Sequence, residues 1–342
     1  MTISSLRDRL KLDPYLLALA GTVAIAALLP ARGISAEVLD KVVTVAIAAL
    51  FFLYGARLAP QAVLAGLAHW RLQSIVFLST YLLFPLLGLA ATWLLRPYLA
   101  PELALGLVFV CALPSTVQSS VAFTSIARGN VPAALCSASV SNLLGVVLTP
   151  ALLTFLMGTH GTGLSVGTLE KLTLQLLLPF FAGQLMRPLV GDWLLRHKPV
   201  TSLFDRGSIL LVVYAAFSEG MVAGIWGRIS LPSLGIVALA DFAILAIVLV
   251  LTGLVSRIGG FSKEDEIAIV FCGSKKSMAS GIPMANILFP STAVGMIVLP
   301  LMLFHQAQLF ACAALAQRYA RRRADRDGPE RVSPPTAATS LA

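Results

Sequence analysis

The sequence predicts an all-α polytopic membrane protein. Its ten transmembrane helices form two inverted five-helix repeats, and the fourth and ninth helices are broken. Three observations lead there. The 342 residues are 58% hydrophobic and 12% charged, with mean hydropathy +0.88, where a soluble domain carries about 25% charged residues. Ten apolar runs have the length needed to cross roughly 30 Å of hydrocarbon. Two of those runs hold, in their middles, residues that a lipid-facing helix cannot carry.

The runs cover 14–30, 38–57, 72–95, 103–127, 131–156, 167–188, 203–224, 231–256, 264–288 and 292–317. Before them, residues 1–13 (MTISSLRDRLKLD) are polar and basic. No small-residue cleavage site closes the first run, so it reads as a retained span, not a signal peptide. Pro85 in the third run and Pro150 near the end of the fifth are kinks that a bundle tolerates. A glycine-rich loop, 158–166, divides the chain into repeats 14–157 and 167–317. Five spans per repeat is an odd number, so the second repeat enters the membrane in the opposite sense. Residues 318–342 turn basic and then rich in Pro, Ala and Thr, a composition expected to be disordered. Their arginines suit anionic headgroups or a simple stop to transfer.

Orientation follows from the 25 lysines and arginines. With the N-terminus in the cytoplasm, only Arg32, Lys41, Arg96, Lys171 and Arg228 fall outside, and Lys275 and Lys276 fall within the membrane. The positive-inside rule then places both termini in the cytoplasm, in a plasma (inner) membrane. The net charge of +9 is spread over short loops and ends, which disfavours nucleic acid as a partner. Cys111, Cys136, Cys272 and Cys312 lie in or beside apolar runs without metal-ligand spacing and read as packing residues.

The fourth run reads CALPSTVQSSVAFTSIARGN from Cys111. Pro114 interrupts it, and Ser115, Thr116, Gln118, Ser119 and Ser120 stand at the interruption. The ninth reads FCGSKKSMASGIPMANILFP from Phe271, with Ser274, Lys275, Lys276, Ser277 and Ser280 at its centre. A charged side chain costs on the order of 3 kcal/mol at a helix centre. The lysines therefore mark a cavity or site, and the small polar residues mark an unwound backbone. Interrupted helices at matching places in two repeats are the best sequence pointer to a transport site. Adjacent lysines on a regular helix diverge by about 100°, but at a break both can face a cavity. Asp241, at mid-depth in the eighth run, is the natural counter-ion for one of them. Asn142, His305, Gln306 and Gln308 fit ordinary interhelical hydrogen bonding. Gln118 stands at the break and is expected to line the cavity. Glu219 is an end-of-span charge or an outer gate residue.

PSTVQSS (114–120), ARGN (127–130), LTPALL (148–153) and GSKKSMASGIPMANILFP (273–290) resemble the bile acid:sodium symporter superfamily, in particular a symporter-like bacterial branch. The resemblance implies a panel of spans one, two, six and seven beside a core of spans three to five and eight to ten, with spans four and nine crossing in the core. It also implies that the oxygen-bearing Thr80, Ser119, Ser120, Ser137 and Ser139 lie near where such proteins build ion sites, with sodium possible at Ser119 and Ser120. One departure is plain. Sodium-binding members carry an acid followed by a glutamine in the ninth span, whereas Ser274–Met278 here holds serines and lysines. A hard cation wants oxygen ligands, and an ammonium repels it.

The expected function is secondary active transport of a small organic anion by alternating access, with no cofactor and with sodium or a proton as coupling ion. The alternative is a regulatory or scaffold protein on a degenerate transporter fold. The chain has no GxxxxGK[ST], HExxH or GxSxG, which disfavours ATP-driven transport and intramembrane enzyme chemistry.

Overall fold

The computed structural model describes residues 14–57, 69–158, 166–222, 224 and 230–327. The expectations for 1–13, most of the loop 158–166 and the end of the tail lie outside the described residues. Within them the structure is helical throughout: α1 (Pro14–Leu28), α2 (Ile34–Arg57), α3 (Trp70–Leu95), α4 (Pro101–Ala112), α5 (Val117–Ile126), α6 (Val131–Gly158), α7 (Val166–Arg196), α8 (Lys198–Val222), α9 (Leu231–Ile258), α10 (Lys263–Gly273), α11 (Met278–Leu288) and α12 (Ser291–Asp327). Among the described residues, α3, α6, α8, α9 and α12 are each long and apolar enough to cross a membrane, and α4 with α5 form a further span bent by 60°.

Local chemistry sets the irregular points. Pro85 cannot donate a hydrogen bond, and its ring opposes the carbonyl of Tyr81. The expected kink takes the form of a π-helical turn, Ser79–Leu83, just before it. α10 opens on Ser262, whose hydroxyl accepts from the Asp265 amide, with Glu264, Asp265 and Glu266 in the first turn. Side-chain cap and acidic turn both favour a helix start. Glu266 is 3% exposed and accepts from Lys263 Nζ at 2.7 Å, Arg257 Nη2 at 3.2 Å and Tyr319 Oη at 3.1 Å. This fastens the α9–α10 turn to α12.

The sequence 318–327, expected to be disordered, continues α12 to Asp327. Ala, Arg and Gln are good helix formers, and arginines suit a helix C-terminus.

α2 packs along α7, and α8 packs on α1 and α2. The α2–α7 approach is very close: a Cβ on Gly55 would collide with the Phe180 carbonyl, and one on Gly183 with that of Phe52. The other helices form a second group, in which α4 and α12, α9 and α10, and α5 and α6 are packed pairs. Its interior is lined by Phe84, Phe109, Leu113, Ile282, Leu301 and Phe304, all at most 1% exposed. The two groups meet where α8 contacts α11 and α12, and where Tyr54 Oη donates to the Ala279 carbonyl at 3.3 Å.

Candidate functional site

Two interruptions of equal length, Leu113–Thr116 between α4 and α5 and Ser274–Ser277 between α10 and α11, meet in the second group. Pro114 causes the first. The residue before a proline is pushed out of the helical region, and Leu113 is extended at φ −73°, ψ 154°. The second ends at Ser277, whose hydroxyl accepts from the Ser280 amide at 3.2 Å and caps α11.

The interruptions are joined by hydrogen bonds that their unwound backbone frees. The Ser277 amide donates to the Pro114 carbonyl at 2.8 Å. Thr116 Oγ1 donates to the Lys276 carbonyl at 2.8 Å instead of capping its own helix. Ser115 Oγ donates to Cys272 O at 2.6 Å, and Ser120 Oγ to Phe271 O at 3.2 Å. Asn142 on α6 donates to Ser115 O at 2.9 Å and accepts from Ser280 Oγ at 2.8 Å, so it bridges both breaks. Ser141 Oγ accepts from the Ser115 amide at 3.0 Å. Ser274 Oγ turns back to Val270 O at 2.6 Å.

Lys276 is 0% exposed. Its Nζ donates to Leu113 O at 2.7 Å, Cys111 O at 2.8 Å and Thr80 O at 2.9 Å. An ammonium has three N–H groups, and all three are used. Two acceptors are carbonyls at the C-terminal end of α4, where a helix leaves carbonyls unpaired and carries partial negative charge. The third comes from the π-helical turn of α3. The Phe84 ring lies 4.1 Å from the same nitrogen. The Lys276 backbone is held from the opposite side by Gln308 of α12, which accepts from the amide at 2.9 Å and donates to the carbonyl at 3.0 Å.

Lys275 points elsewhere. It is also 0% exposed, but its Nζ has no oxygen or nitrogen acceptor, and the Cys312 sulfur beside it is a weak one. Its neighbours are the Phe123 ring, 4.0 Å from Nζ, and the Cys272 and Cys312 thiols. A desolvated cation–π contact is worth about 2 kcal/mol, less than the several kcal/mol that burying an ion costs. The expectation that both lysines face an open cavity is not met: each is sealed, on a different side of the break.

The remaining expected residues divide. Thr80 contributes its carbonyl to Lys276, while its hydroxyl donates to Val76 O at 2.8 Å. Gln118 is exposed on α5 and makes none of the contacts that join the breaks. Gln308, read as an interhelical hydrogen-bonding residue, makes that bond at the break itself, where Gln118 was expected. Ser119 and Ser139 are half-buried, and Ser119 Oγ has no partner. Ser137 is 1% exposed and its Oγ also lacks a partner. Asp241 is 1% exposed, yet neither carboxylate oxygen has a hydrogen-bond partner. It pairs with neither lysine here. The carbonyl cage already fills the donors of Lys276. Glu219 accepts from Ser291 Oγ at 2.5 Å and ties α8 to the start of α12. Among the described residues no group of His, Cys, Asp or Glu side chains is placed to hold a metal ion.

Comparison with known proteins gives the family. Residues 13–321 match the SBF-like CPA transporter family. An uncharacterized protein of Pseudomonas aeruginosa is 57% identical over 320 residues, 93% of this chain and 96% of its own. The Escherichia coli protein named "Putative symporter YfeH" is 51% identical over 310 residues, 91% and 93% of the two chains. Sodium/bile acid cotransporter 7-A of Xenopus laevis is 30% identical over 323 residues, 91% and 92% of the two chains. The chain belongs to the SBF-like CPA transporter family, within the bile acid:sodium symporter family that its motifs resemble, and is a membrane transporter, not an enzyme.

Proposed function

We propose that the chain is a secondary active transporter of a small organic anion, working by alternating access, in which a tethered ammonium replaces the coupling sodium ion. The observation that carries this reading is the Lys276 cage. Three carbonyls at the meeting of two broken helices enclose one cation at 2.7–2.9 Å, and Ser274–Met278 contains no carboxylate. A cation that is part of the chain keeps the crossing neutralised in every state.

Lys275 is then the exchangeable charge. Its ammonium has no oxygen or nitrogen acceptor in this sealed conformation, and an anion admitted in another conformation would supply one. Asp241 is equally unpaired and is the group that a lysine would meet in such a state, which offers a route to proton coupling. The half-helix N-termini of α5 and α11 add partial positive charge at the crossing. The reading also takes α1–α12 as ten spans in two inverted repeats, with both termini cytoplasmic in the inner membrane.

Proteoliposomes test it. The purified protein should take up one or more members of an organic-anion panel, and Lys275→Met should abolish that uptake. Asp241→Asn should move its pH profile. A protein that moves no anion while binding partner proteins would favour a scaffold, a reading that the sealed lysines also admit.

A further inference from the structure

A cavity lies outside the crossing. It occupies about 370 Å³ between the first turns of α3 and the second and third turns of α6, within the range of small-molecule sites. Val76, Phe77, Leu78 and Val140 give it an apolar wall. Two polar atoms on that wall are buried without partners, Ser137 Oγ and Gln73 Nε2. Ser137 is 1% exposed, so bulk solvent does not serve it. Buried polar groups in folded proteins are almost always paired. Two orphans in one cavity point to a ligand that pairs them.

The order of groups along α3, on the wall and just beyond its mouth, identifies that ligand. Trp70, at the mouth, is 67% exposed, and Arg71 is the next residue. Arg71 is held at this end by donating to Gly259 O at 2.9 Å and stacking on Phe261. It shares a helix side with Leu78, seven residues on. Gln73 lies about 4 Å further along the axis, and Phe77 and Leu78 about 10 Å further, at 1.5 Å per residue. The sequence of environments is cation and indole, then hydrogen-bond groups, then hydrocarbon. That is the order of phosphate, glycerol ester and acyl chain in one leaflet. No charged side chain lines the cavity itself, which suits an ester and an acyl chain. Phe77 and Leu78, 39% and 51% exposed, leave the cavity open sideways, where a lipid enters.

We propose that this cavity binds one glycerophospholipid of the leaflet that adjoins the start of α3. An acyl chain lies along Val76, Phe77 and Val140, an ester carbonyl accepts from Gln73 Nε2 and Ser137 Oγ, and the phosphate faces Arg71. Ser141 also lines the cavity. It accepts from the Ser115 amide, and its carbonyl accepts from Tyr81 Oη at 2.5 Å. The lipid therefore sits one residue layer from the crossing and is placed to stabilise its closed form.

Native mass spectrometry of the full chain reconstituted with palmitoyl-oleoyl phosphatidylglycerol tests the assignment. The wild type should keep one phospholipid mass after a detergent wash that strips the rest. Gln73→Leu, which removes the donor at similar bulk, should lower retention about fivefold, as expected for one lost neutral hydrogen bond. Val140→Phe, which fills the cavity, should abolish retention, and should one of the two fail to fold the other decides. Leu239→Phe, on a surface elsewhere that is 72% exposed, should retain the lipid. Equal retention by the cavity variants and the wild type, no retained lipid in the wild type, or a retained mass of free fatty acid would overturn the proposal.

Discussion

The two interruptions have the same length and opposite chemistry. Leu113–Thr116 supplies acceptors and hydroxyls: carbonyls at Leu113, Pro114 and Ser115, and the side chains of Ser115 and Thr116. Ser274–Ser277 supplies the cation and a capping serine. Each break satisfies what the other leaves open, so neither is stable in this form alone. The contrast repeats at finer scale inside the second break. Lys276 uses every donor it has, whereas its neighbour Lys275 uses none on an oxygen or nitrogen. Full burial is common to both and does not distinguish a structural charge from a functional one. Partnering does.

Substitutions can break or sharpen that contrast. The largest expected effect on stability is that of Lys276→Met. It removes the donor from three buried carbonyls, and breaking such a buried charged network costs about 3–5 kcal/mol. Thermal unfolding of the purified protein should show a correspondingly large drop in midpoint. Gln308→Leu comes next, at about 2 kcal/mol, because it strips both the amide and the carbonyl of Lys276 of a partner. Thr116→Val should cost about 1 kcal/mol for one neutral hydrogen bond. Lys275→Met should have the smallest effect on stability, near zero or slightly stabilising, since it replaces an unpaired buried charge with an apolar group of similar volume. That variant should nonetheless lose anion uptake. If Lys275→Met destabilises as much as Lys276→Met, the division between the two lysines fails.

Much of this site was legible in the sequence. Pro114 marks the first break because a proline pushes the residue before it out of the helical region, and the run from Gly273 to Ser277 marks the second because glycine and serines flank two lysines that a regular membrane helix does not carry. The lysines stand out because no lipid-facing helix carries them. Their directions were not legible: helical periodicity relates side chains only while the helix continues, and at an interruption φ and ψ at each residue decide. Gln308 does make the interhelical hydrogen bonds expected of it, but its place at the break was not legible, because a lone polar residue in an apolar span looks the same whether it bonds a neighbouring helix or clamps a broken one. The Asp241 pairing failed for a related reason. Mid-depth is a single coordinate, and the sequence says nothing of which way α9 turns its acid. The helical continuation to Asp327 was obscured by composition, since the same arginines that suit a solvated tail suit a helix C-terminus.

The account rests on Lys276 standing where a coupling sodium would stand, and a substrate-free measurement reaches it. A bound ion stabilises the folded state by RT ln(1 + [L]/Kd), about 2.7 kcal/mol at a hundredfold excess over Kd. The unfolding midpoint of the wild-type protein should therefore be the same in sodium chloride and in choline chloride at equal ionic strength. A sodium-specific rise in midpoint that disappears in Ser119→Ala and Ser120→Ala would show that the site still holds the ion, and that Lys276 has not replaced it.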